Sequence, residues 1–314
     1  MLVKHIRDII INVLVFVPLF ISQIAFGQSQ QLELKYLGAA GWIITQDSLV
    51  VLLDPYLTRL KLDSPASDSK DTRKSYERSD YFQSDSALID KVIQKADYIF
   101  VHHSHFDHLS DVPYIAKKTR AKVIGTESTC NILRAYGIPD DQLYEVQGGE
   151  DYIFEEFSVK VIPSLHSALR FKHFFDSRVY KDPPGAPLKI ADFIEGGSLM
   201  YLIRFDTHQV LTMGGMNFIE KEVVGLTPDV ILTGVNFSRN EIFNYTGRLL
   251  TATNFPKIVI PTHWDNFRVP YEFSQQKAIE DKIVPFIEEV KAASPESRVI
   301  VPEHLKSFVI KSTK

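Results

Sequence analysis

The 314-residue chain has a single cysteine, Cys130, so it cannot form an internal disulfide. Cys130 falls in a predicted helix over residues 127–136 and is expected to be a small core side chain rather than a metal ligand. Basic residues are also not in excess, because 35 Lys and Arg stand against 39 Asp and Glu, a formal net charge of −4. The sequence shows no basic stripe of the kind that nucleic-acid-binding proteins normally carry, so no nucleic-acid partner is predicted.

Three further absences narrow the fold and the chemistry. No short repeat is present, which argues against a solenoid or a propeller. No composition break marks a linker, so residues 28–314 are predicted to form a single domain, long enough to bury a substantial core. No G-x-S-x-G motif occurs, and the serine nucleophile of an α/β-hydrolase is therefore not indicated.

A long apolar run occurs only near the N-terminus, over residues 9–26, where Lys4 and Arg7 precede it. Small residues up to Gly27 suit a signal peptidase, so residues 1–27 are predicted to be a signal peptide and the mature protein to be secreted or periplasmic. An uncleaved membrane anchor is the alternative, although the run is barely long enough, since a span takes about 20 residues. After cleavage no stable membrane span is expected.

Periodicity predicts a chain in which strands and helices alternate. Three antiparallel strands are expected first, at residues 32–37, 42–45 and 49–53, and a polar, solvent-facing excursion follows at residues 58–85. Further strands are predicted at residues 98–101, 121–124, 157–162, 199–205, 209–213, 230–233 and 257–260. Helices are predicted at residues 88–93, 127–136 and 271–291, the last of them kinked or ended by Pro285. The pattern indicates an α/β fold whose second half resembles the first in layout.

Four metal-capable side chains lie within six residues, directly after the strand predicted at residues 98–101: His103, His105, Asp107 and His108. Neutral imidazole and carboxylate suit zinc and its neighbours, and a catalytic site needs about three protein ligands and an open position for water. A histidine-rich surface loop is the alternative, but it rarely places Asp directly before His in this alternation. The motif therefore predicts a hydrolytic metal site.

Two more histidines occupy equivalent positions along the chain. His166 follows the strand at residues 157–162, and His263 follows the strand at residues 257–260. If these strands end at the same edge of a sheet, they bring both imidazoles to the metal-capable loop after His103.

This order of elements and motifs resembles the metallo-β-lactamase superfamily, over nearly all of the chain after residue 27. The segments Tyr36–Trp42 and Leu52–Tyr56 are most similar to the branch that contains ascorbate-phosphate lactonases and N-acylethanolamine phospholipase D. The resemblance implies an αββα sandwich with its metals at one edge, and it implies that Asp54 orients a ligand from behind. It further implies a first metal on His103, His105 and His166 and a second metal on Asp107, His108 and His263.

One position departs from the superfamily pattern. Members usually carry an Asp that bridges both metals after the hairpin strand, whereas this chain has Gly214 and Gly215 there. Some superfamily β-lactamases lack a bridging protein ligand and still hold two zincs, so occupancy of the second site stays open. Asn217 could help through its side-chain oxygen, or it could serve only as a turn residue.

Several other residues are assigned simpler roles or remain candidates. His102 is expected to be packed or to support a ligand, His208 to lie in a hairpin turn, and His304 to lie at the surface. Residues 167–197, which include His173, are a candidate cover for the site. Aromatic and polar residues beside the motifs could line the cleft or belong to the core: Trp42, Tyr56, Trp264, Asp265 and Asn266.

The chemistry expected of such a site is hydrolysis. One or two zinc ions, with manganese as another option, lower the pKa of bound water from about 16 to about 7, and the resulting hydroxide is the expected nucleophile. Asp107 and His263 are the predicted catalytic residues, with Asp107 orienting the water and accepting a proton. The predicted substrate is a small molecule or lipid with an ester, lactone, amide or phosphodiester bond.

The sequence is also compatible with two other functions. A metal-binding member without catalytic activity is supported by Gly215 alone. A true β-lactamase is supported by the signal peptide and the absent bridging Asp, and opposed by the opening motifs. The oligomeric state is not predicted.

Overall fold

The fold is described by a computed structural model that covers residues 31–62, 70–168, 172–173 and 176–311. The signal peptide predicted at residues 1–27 lies outside the described residues. Within the part of the chain that the structure describes, no helix is both long and apolar enough to cross a membrane.

Strands and helices alternate along the described chain. The strands are β1 (Leu32–Gly38), β2 (Gly41–Gln46), β3 (Leu49–Leu53), β4 (Lys61–Leu62), β5 (Ser75–Tyr76), β6 (Tyr98–Phe100), β7 (Lys122–Gly125), β8 (Leu143–Glu145), β9 (Asp151–Ile153), β10 (Ser158–Pro163), β11 (Leu199–Arg204), β12 (Gln209–Met213), β13 (Val230–Gly234), β14 (Ile258–Thr262), β15 (Arg298–Val299) and β16 (Ser307–Ile310). The helices are α1 (Ser86–Val92), α2 (Phe106–Leu109), α3 (Val112–Thr119), α4 (Glu127–Ala135), α5 (Glu220–Val223), α6 (Tyr245–Ala252), α7 (Gln276–Ala278) and α8 (Val284–Ala293).

Two seven-stranded sheets dominate the described residues, in the orders β16-β1-β2-β3-β6-β7-β8 and β9-β10-β11-β12-β13-β14-β15. In each sheet the first four strands are antiparallel and the last three run parallel to the fourth. The three antiparallel strands β1 to β3 and the hairpin β11–β12 confirm the sequence predictions. The shared order of strand directions confirms that the two halves of the chain resemble each other in layout.

The two sheets pack face to face, and helices cover both outer faces. Strand β3 shows why its sequence is apolar throughout: Val51 and Leu53 pack between the sheets, whereas Leu52 packs under the helices of the first sheet. Tyr201 of β11 is buried between the sheets, and its hydroxyl donates to the carbonyl of Val101 at 2.7 Å. This arrangement is the αββα sandwich implied by the resemblance, and the α/β class is confirmed.

The helices divide between the two outer faces. Helices α1, α3 and α4 contribute buried apolar residues to the cluster on the first sheet, among them Ile89, Ile115 and Leu133. Helices α6 and α8 contribute to the core of the second sheet through residues such as Leu249 and Phe286. Cys130 of α4 is fully buried, as predicted for a core side chain.

The parallel strands end at one edge, and this edge positions the site. Strands β3, β6 and β7 run parallel in the first sheet, and β12, β13 and β14 in the second. Loops that follow the carboxyl ends of parallel strands are where open α/β sheets place their ligands. Asp54 follows β3, the metal-capable loop follows β6, Gly214 follows β12 and His263 follows β14.

The predicted late helix over residues 271–291 is wrong in its first part and interrupted in its middle. Residues 271–275 are not helical, and the helix begins with α7. A π-helical segment at Ile279–Ile283 separates α7 from α8, and Pro285 stands in the first turn of α8. Because proline has no N–H to donate to the preceding turn, the wide segment directly before it is the expected physical result.

The excursion predicted at residues 58–85 is not simply solvent-facing. Residues 63–69 lie outside the described chain, but Arg59, Leu60 and Leu62 are buried, and β4 pairs with β5. The prediction of a solvent-facing segment was wrong because polar residues outnumber apolar residues here. The few apolar residues of the segment are the ones that pack against the rest of the protein.

Candidate metal centre

His103, His105 and His166 converge on one point. One ring nitrogen from each of the three lies within 4.8 Å of the others. The ring centroids of the three pairs are 4.7 to 4.9 Å apart, and the interplanar angles are 87°, 90° and 89°. Three imidazoles at right angles around a common centre leave the fourth direction open, which is the geometry of a catalytic site with three protein ligands.

Local backbone conformation explains how neighbours in sequence reach different sides of the site. His105 is extended, with φ −61° and ψ 156°, and its ring meets that of His103, two residues earlier, at a centroid distance of 4.9 Å. The helical turn α2 then starts at Phe106 and redirects the chain. Asp107 and His108 therefore project into a second group beside the first.

The histidines of the first group suit a cation in their charge state as well as their position. Burial lowers the pKa of His103 well below its usual value, of His105 to about 3 and of His166 to about 4, so all three are neutral at pH 7. The Nδ1 of His166 lies 3.0 Å from the carbonyl of Ser167, which makes Nδ1 the donor and leaves the Nε2 lone pair for a metal. The Nε2 of His103 is buried and has no hydrogen-bond partner among the described residues. An unsatisfied buried nitrogen aimed into a ring of imidazoles fits a metal ligand.

Asp107, His108 and His263 form the second group, with one ligand atom of each within 4.8 Å of the others. The Oδ2 of Asp107 lies 3.3 Å from Nε2 of His263 and 3.7 Å from Nε2 of His108. Burial raises the pKa of Asp107, but His108 and His263 outweigh burial and hold that pKa below its usual range, so the carboxylate stays ionised. The ring centroids of His103 and His108 are only 3.8 Å apart, which makes the two groups neighbours.

Asp54 supports the second group from behind. Its Oδ2 lies 2.6 Å from Nδ1 of His108 and 2.7 Å from Nδ1 of His102, and its Oδ1 accepts the backbone N–H of His102 at 2.8 Å. The Nε2 of His102 in turn lies 2.8 Å from the hydroxyl of Thr212. Burial raises the pKa of Asp54, but the two imidazoles outweigh it and bring the pKa to about 2. Asp54 thus orients His108 as the resemblance implied, and His102 is the packed, supporting residue predicted.

His263 is held in a left-handed conformation, with φ 55°, directly after β14. Its backbone N–H donates to the carbonyl of Ala39 at 2.7 Å, and the N–H of Ala39 donates to Oδ1 of Asp265 at 2.9 Å. Oδ2 of Asp265 accepts from Arg59 at 2.8 Å and lies 2.9 Å from Nε2 of His304. A conformation that costs energy for a residue with a Cβ therefore persists because the surrounding contacts fix it.

These contacts correct one prediction, that for His304, and they decide between the two positions left open for the residues beside the motifs. His304 is not a surface residue, because its side chain is only 11% exposed and stacks on Tyr36 and Trp264. Trp264 and Asp265 are buried in the core and are not among the described residues that line the cleft. Trp42 and Tyr56 are also buried in the core and are not among the described lining residues. Asn266 lines a neighbouring surface groove. His208 is in the β11–β12 turn as predicted, though buried.

Gly215 leaves the bridging position without a carboxylate. A Cβ at Gly215 would lie 2.9 Å from the hydroxyl oxygen of Ser167, and this oxygen accepts the N–H of Met216 at 2.9 Å. The side chain of Asn217 is engaged elsewhere, since its amide donates to the carbonyl of His166 at 3.2 Å and its Oδ1 accepts from Phe218 at 2.9 Å. Asn217 thus has the turn role rather than that of a ligand.

Both groups open into a cleft of about 380 Å³. Apolar side chains form much of its wall: Phe106, Ile190, Phe193, Met216 and Phe267. The segment at residues 167–197 contributes Ser167, Ala168, Asp176 and Arg178 as well as part of that wall, so the candidate cover does border the site. His173 is exposed and is not among the described lining residues. Arg78 and Arg268 also line the cleft, although no motif in the sequence points to them.

The chain is similar to known proteins over most of its length. A family model described as a beta-lactamase superfamily domain matches residues 33–263. A protein described as a UPF0173 metal-dependent hydrolase, from Staphylococcus aureus, is 28% identical over 183 residues, which are 58% of this chain and 74% of the relative.

Two solved structures share the fold at low identity. A metallo-hydrolase from the archaeon Ignicoccus hospitalis matches with a TM-score of 0.58 and 18% identity, over 90% of this chain and 99% of that one. A diiron β-hydroxylase from Streptomyces venezuelae matches with a TM-score of 0.53 and 16% identity, over 91% of this chain and 54% of that one. At these identities the structures show the fold alone.

Proposed function

The chain belongs to the metallo-β-lactamase superfamily and is a metal-dependent hydrolase, and on that premise we propose that it uses two adjacent metal ions. His103, His105 and His166 hold the first ion. The observation that carries this proposal is the set of three mutually perpendicular, neutral imidazoles, in which Nε2 of His103 is buried without a partner among the described residues. Asp107, His108 and His263 hold the second ion.

Zinc is the metal we propose, because imidazole with one carboxylate suits zinc and the first group has three nitrogen ligands. Manganese is the second choice. The second site is expected to bind more weakly than the first, since Gly215 supplies no bridging carboxylate. Asp54 offsets part of that loss because it fixes the ring of His108.

The residues around the site divide the work of hydrolysis. When bound, the metals lower the pKa of coordinated water and polarise the scissile group. Asp107, ionised at neutral pH, orients the attacking water and accepts its proton. His263, 3.3 Å from Asp107, fixes that carboxylate. Water adds to the carbonyl carbon or phosphorus, the bond to the leaving group breaks, and the leaving atom takes up a proton.

The substrate we propose is a small molecule or a lipid with an ester, lactone, amide or phosphodiester bond. The cleft of about 380 Å³ accepts a compact ligand, and aromatic walls from Phe106, Phe193 and Phe267 favour a substrate with an apolar part.

We also propose that the protein is exported, and the pattern of residues 1–27 supports this proposal. N-terminal sequencing of the protein recovered from the envelope and medium of the native host tests it, and a mature chain that does not begin after Gly27 would contradict the proposal.

The experiment that tests the metal centre is the metal content of the purified protein, measured by plasma mass spectrometry for wild type and His103→Ala. His208→Ala serves as the matched control, because His208 is a buried histidine outside both groups. Nitrophenyl esters, bis(4-nitrophenyl) phosphate and a chromogenic cephalosporin are assayed in parallel.

Close to two metals per chain, lost together with activity in His103→Ala but not in the control, is the expected result. One metal with activity would mean a single-ion hydrolase. Cephalosporin hydrolysis that exceeds the other activities would favour a β-lactamase. No metal after reconstitution with zinc and manganese would overturn the proposal.

A further inference from the structure

We propose that the substrate carries an anionic oxyacid group, a carboxylate or a phosphate, and that Arg78, Arg178 and Arg268 recognise it. This inference rests on the proposed hydrolytic function and specifies the substrate class of the same cleft. The three arginines line that cleft together with both candidate metal groups. They come from three separate loops of the described chain, and none belongs to the metal groups themselves.

The charge of the cleft differs from the charge of the whole protein. The chain has a formal net charge of −4, yet three arginines line the cleft against two aspartates, Asp107 and Asp176, and Asp176 pairs with Arg178. The carboxylate of Asp107 lies next to the imidazoles of His108 and His263, at 3.7 and 3.3 Å. Bound metal adds further positive charge, so the cleft attracts anions although the protein as a whole is acidic.

Arg178 is fixed in place relative to the first metal group. Its Nε and Nη2 both donate to the carboxylate of Asp176, with Nε 2.8 Å from Oδ2, and the backbone N–H of Asp176 donates to Oε2 of Glu195 at 2.6 Å. The carbonyl of Glu195 accepts the N–H of Ser104 at 2.8 Å, and Ser104 lies between His103 and His105. A short chain of hydrogen bonds therefore links the guanidinium, which is largely exposed, to the loop that carries His103 and His105.

Arg78 belongs to the same wall of the cleft. Its carbonyl accepts the N–H of Ala191 at 2.8 Å, and the carbonyl of Asp80 accepts the N–H of Ile190 at 2.9 Å. Ala191 and Ile190 themselves line the cleft. The loop that carries Arg78 is thus bonded to the segment that carries Arg178.

Arg268 lies beside the second metal group. It follows Phe267, whose ring centroid is 5.3 Å from that of His263. The N–H of Arg268 donates to Oδ1 of Asn266 at 3.2 Å, and its carbonyl accepts from Nη2 of Arg73 at 2.9 Å. The guanidinium carbon lies 6.0 Å from the centroid of the Phe267 ring, which places a cation next to an apolar wall.

These features match one kind of ligand. A guanidinium is always charged, and its planar donors fit the oxygens of a carboxylate or a phosphate. The neighbouring aromatic walls, Phe106 and Phe267, fit the carbon skeleton of the same molecule. A neutral ester can use the walls but gains little from the three cations.

Matched substrate pairs test the inference on the zinc-loaded protein. For the carboxylate arm, 4-nitrophenyl hydrogen glutarate is compared with neutral 4-nitrophenyl valerate. For the phosphate arm, bis(4-nitrophenyl) phosphate is compared with its neutral methyl triester. Each kcat/KM is divided by the uncatalysed rate of the same compound. We expect the anionic member of at least one pair to be favoured by about tenfold or more, in line with a charge-assisted hydrogen bond, and the pair that shows it identifies the acid group.

Variants connect the preference to the arginines. Arg178→Gln and Arg268→Gln are expected to reduce the preference by about tenfold, and Arg178→Lys to restore part of it. Arg204→Gln is the control, because Arg204 pairs with Asp151 at the far end of β11. Thermal unfolding of each variant shows that it is folded. Equal normalised rates for anionic and neutral substrates, or a preference unchanged in both Gln variants, would overturn the inference and leave the hydrolase intact.

A binding measurement separates this inference from the hydrolytic function. Calorimetric titration of the metal-free protein with phenylphosphonate and with glutarate reports the anion site without any reaction. Binding that Arg178→Gln and Arg268→Gln both weaken, in a protein that hydrolyses none of the substrates, would support the anion site and remove the proposed function. Hydrolysis of neutral esters without such binding would support the proposed hydrolytic function and overturn the anion site.

Discussion

Oδ2 of Asp54 lies 2.6 Å from Nδ1 of His108, whose other ring nitrogen, Nε2, lies 3.7 Å from Oδ2 of Asp107. The same oxygen lies 2.7 Å from Nδ1 of His102. One buried carboxylate thus sets the tautomer of two histidines, of which only His108 belongs to a metal group. In the proposed second site, Asp54 would act on a bound ion only through His108.

Asp54→Asn is therefore expected to weaken the second metal and spare the first. The amide keeps the shape but loses the charge that holds His108, and such supporting contacts are typically worth about 10- to 100-fold in metal affinity. Chelator competition followed by metal analysis measures both sites. Asp97→Asn is the control, because Asp97 also accepts a backbone N–H, from Val50, but lies outside the site. Equal loss of both metals, or of neither, would contradict the expectation.

Gly215→Asp tests whether the second site is weak because the bridging carboxylate is missing. The new Cβ would lie 2.9 Å from the hydroxyl of Ser167, so the single variant must displace a group that accepts the N–H of Met216. We expect Gly215→Asp alone to lower stability and Gly215→Asp with Ser167→Ala to bind the second zinc more tightly than wild type. Zinc titration against a competing chelator measures it. A double variant with no gain in affinity would show that the Gly215 position does not limit the second site.

Acid should destabilise the metal-free protein before it protonates the buried carboxylates. Burial holds the pKa of His105 at about 3 and of His166 at about 4, below the usual 6.5, so the unfolded chain takes up protons first as the pH falls. Each of these histidines lowers the free energy of unfolding by about 1–2 kcal/mol between about pH 7 and pH 5.

His108 opposes this trend. Burial lowers its pKa, but Asp54 and Asp107 outweigh burial and raise it, so His108 adds stability as the pH falls. Urea unfolding of chelated protein at the two pH values gives the net change, and we expect a loss because more histidines are depressed than raised. A metal-free protein that is equally stable or more stable at about pH 5 would contradict this assignment of charge states.

Asp265 is expected to matter for stability far more than an exposed carboxylate. It accepts from Arg59, Tyr36 and the backbone of Ala39, and Arg59 is only 2% exposed. Asp265→Ala leaves a buried guanidinium without its partner, which typically costs about 3–5 kcal/mol. Asp151→Asn, which breaks the surface pair with Arg204, should cost less than about 1 kcal/mol. Urea unfolding of both variants measures the difference, and similar losses would refute the special role of Asp265.

The convergence of the six candidate residues could be expected from the sequence, because each follows a strand or lies in the loop after one. Parallel strands that end at one edge bring such positions together whatever their separation along the chain. His103 and His263 are an example, since they follow β6 and β14 in different sheets. The pattern of apolar strands predicted that these residues converge. The superfamily resemblance predicted their division into two metal groups.

The surroundings of the site were less accessible to sequence reasoning. Arg178 and Arg78 sit on loops without periodicity, and their place depends on backbone bonds to residues such as Glu195 and Ala191. His304 looked exposed because it lies near the C-terminus among polar residues. The chain however returns to pair β16 with β1, and this contact between distant segments leaves no local signal.

The two candidate metal groups draw their ligands from both sheets. His103 and His105 follow β6 of the first sheet, whereas His166 and His263 follow β10 and β14 of the second. An ion bound here would therefore link the two halves of the sandwich at one end. The residues that it would join are far apart along the chain. A chain whose only cysteine is buried has no covalent cross-link of its own, and metal loading is the means by which it could acquire the equivalent of one.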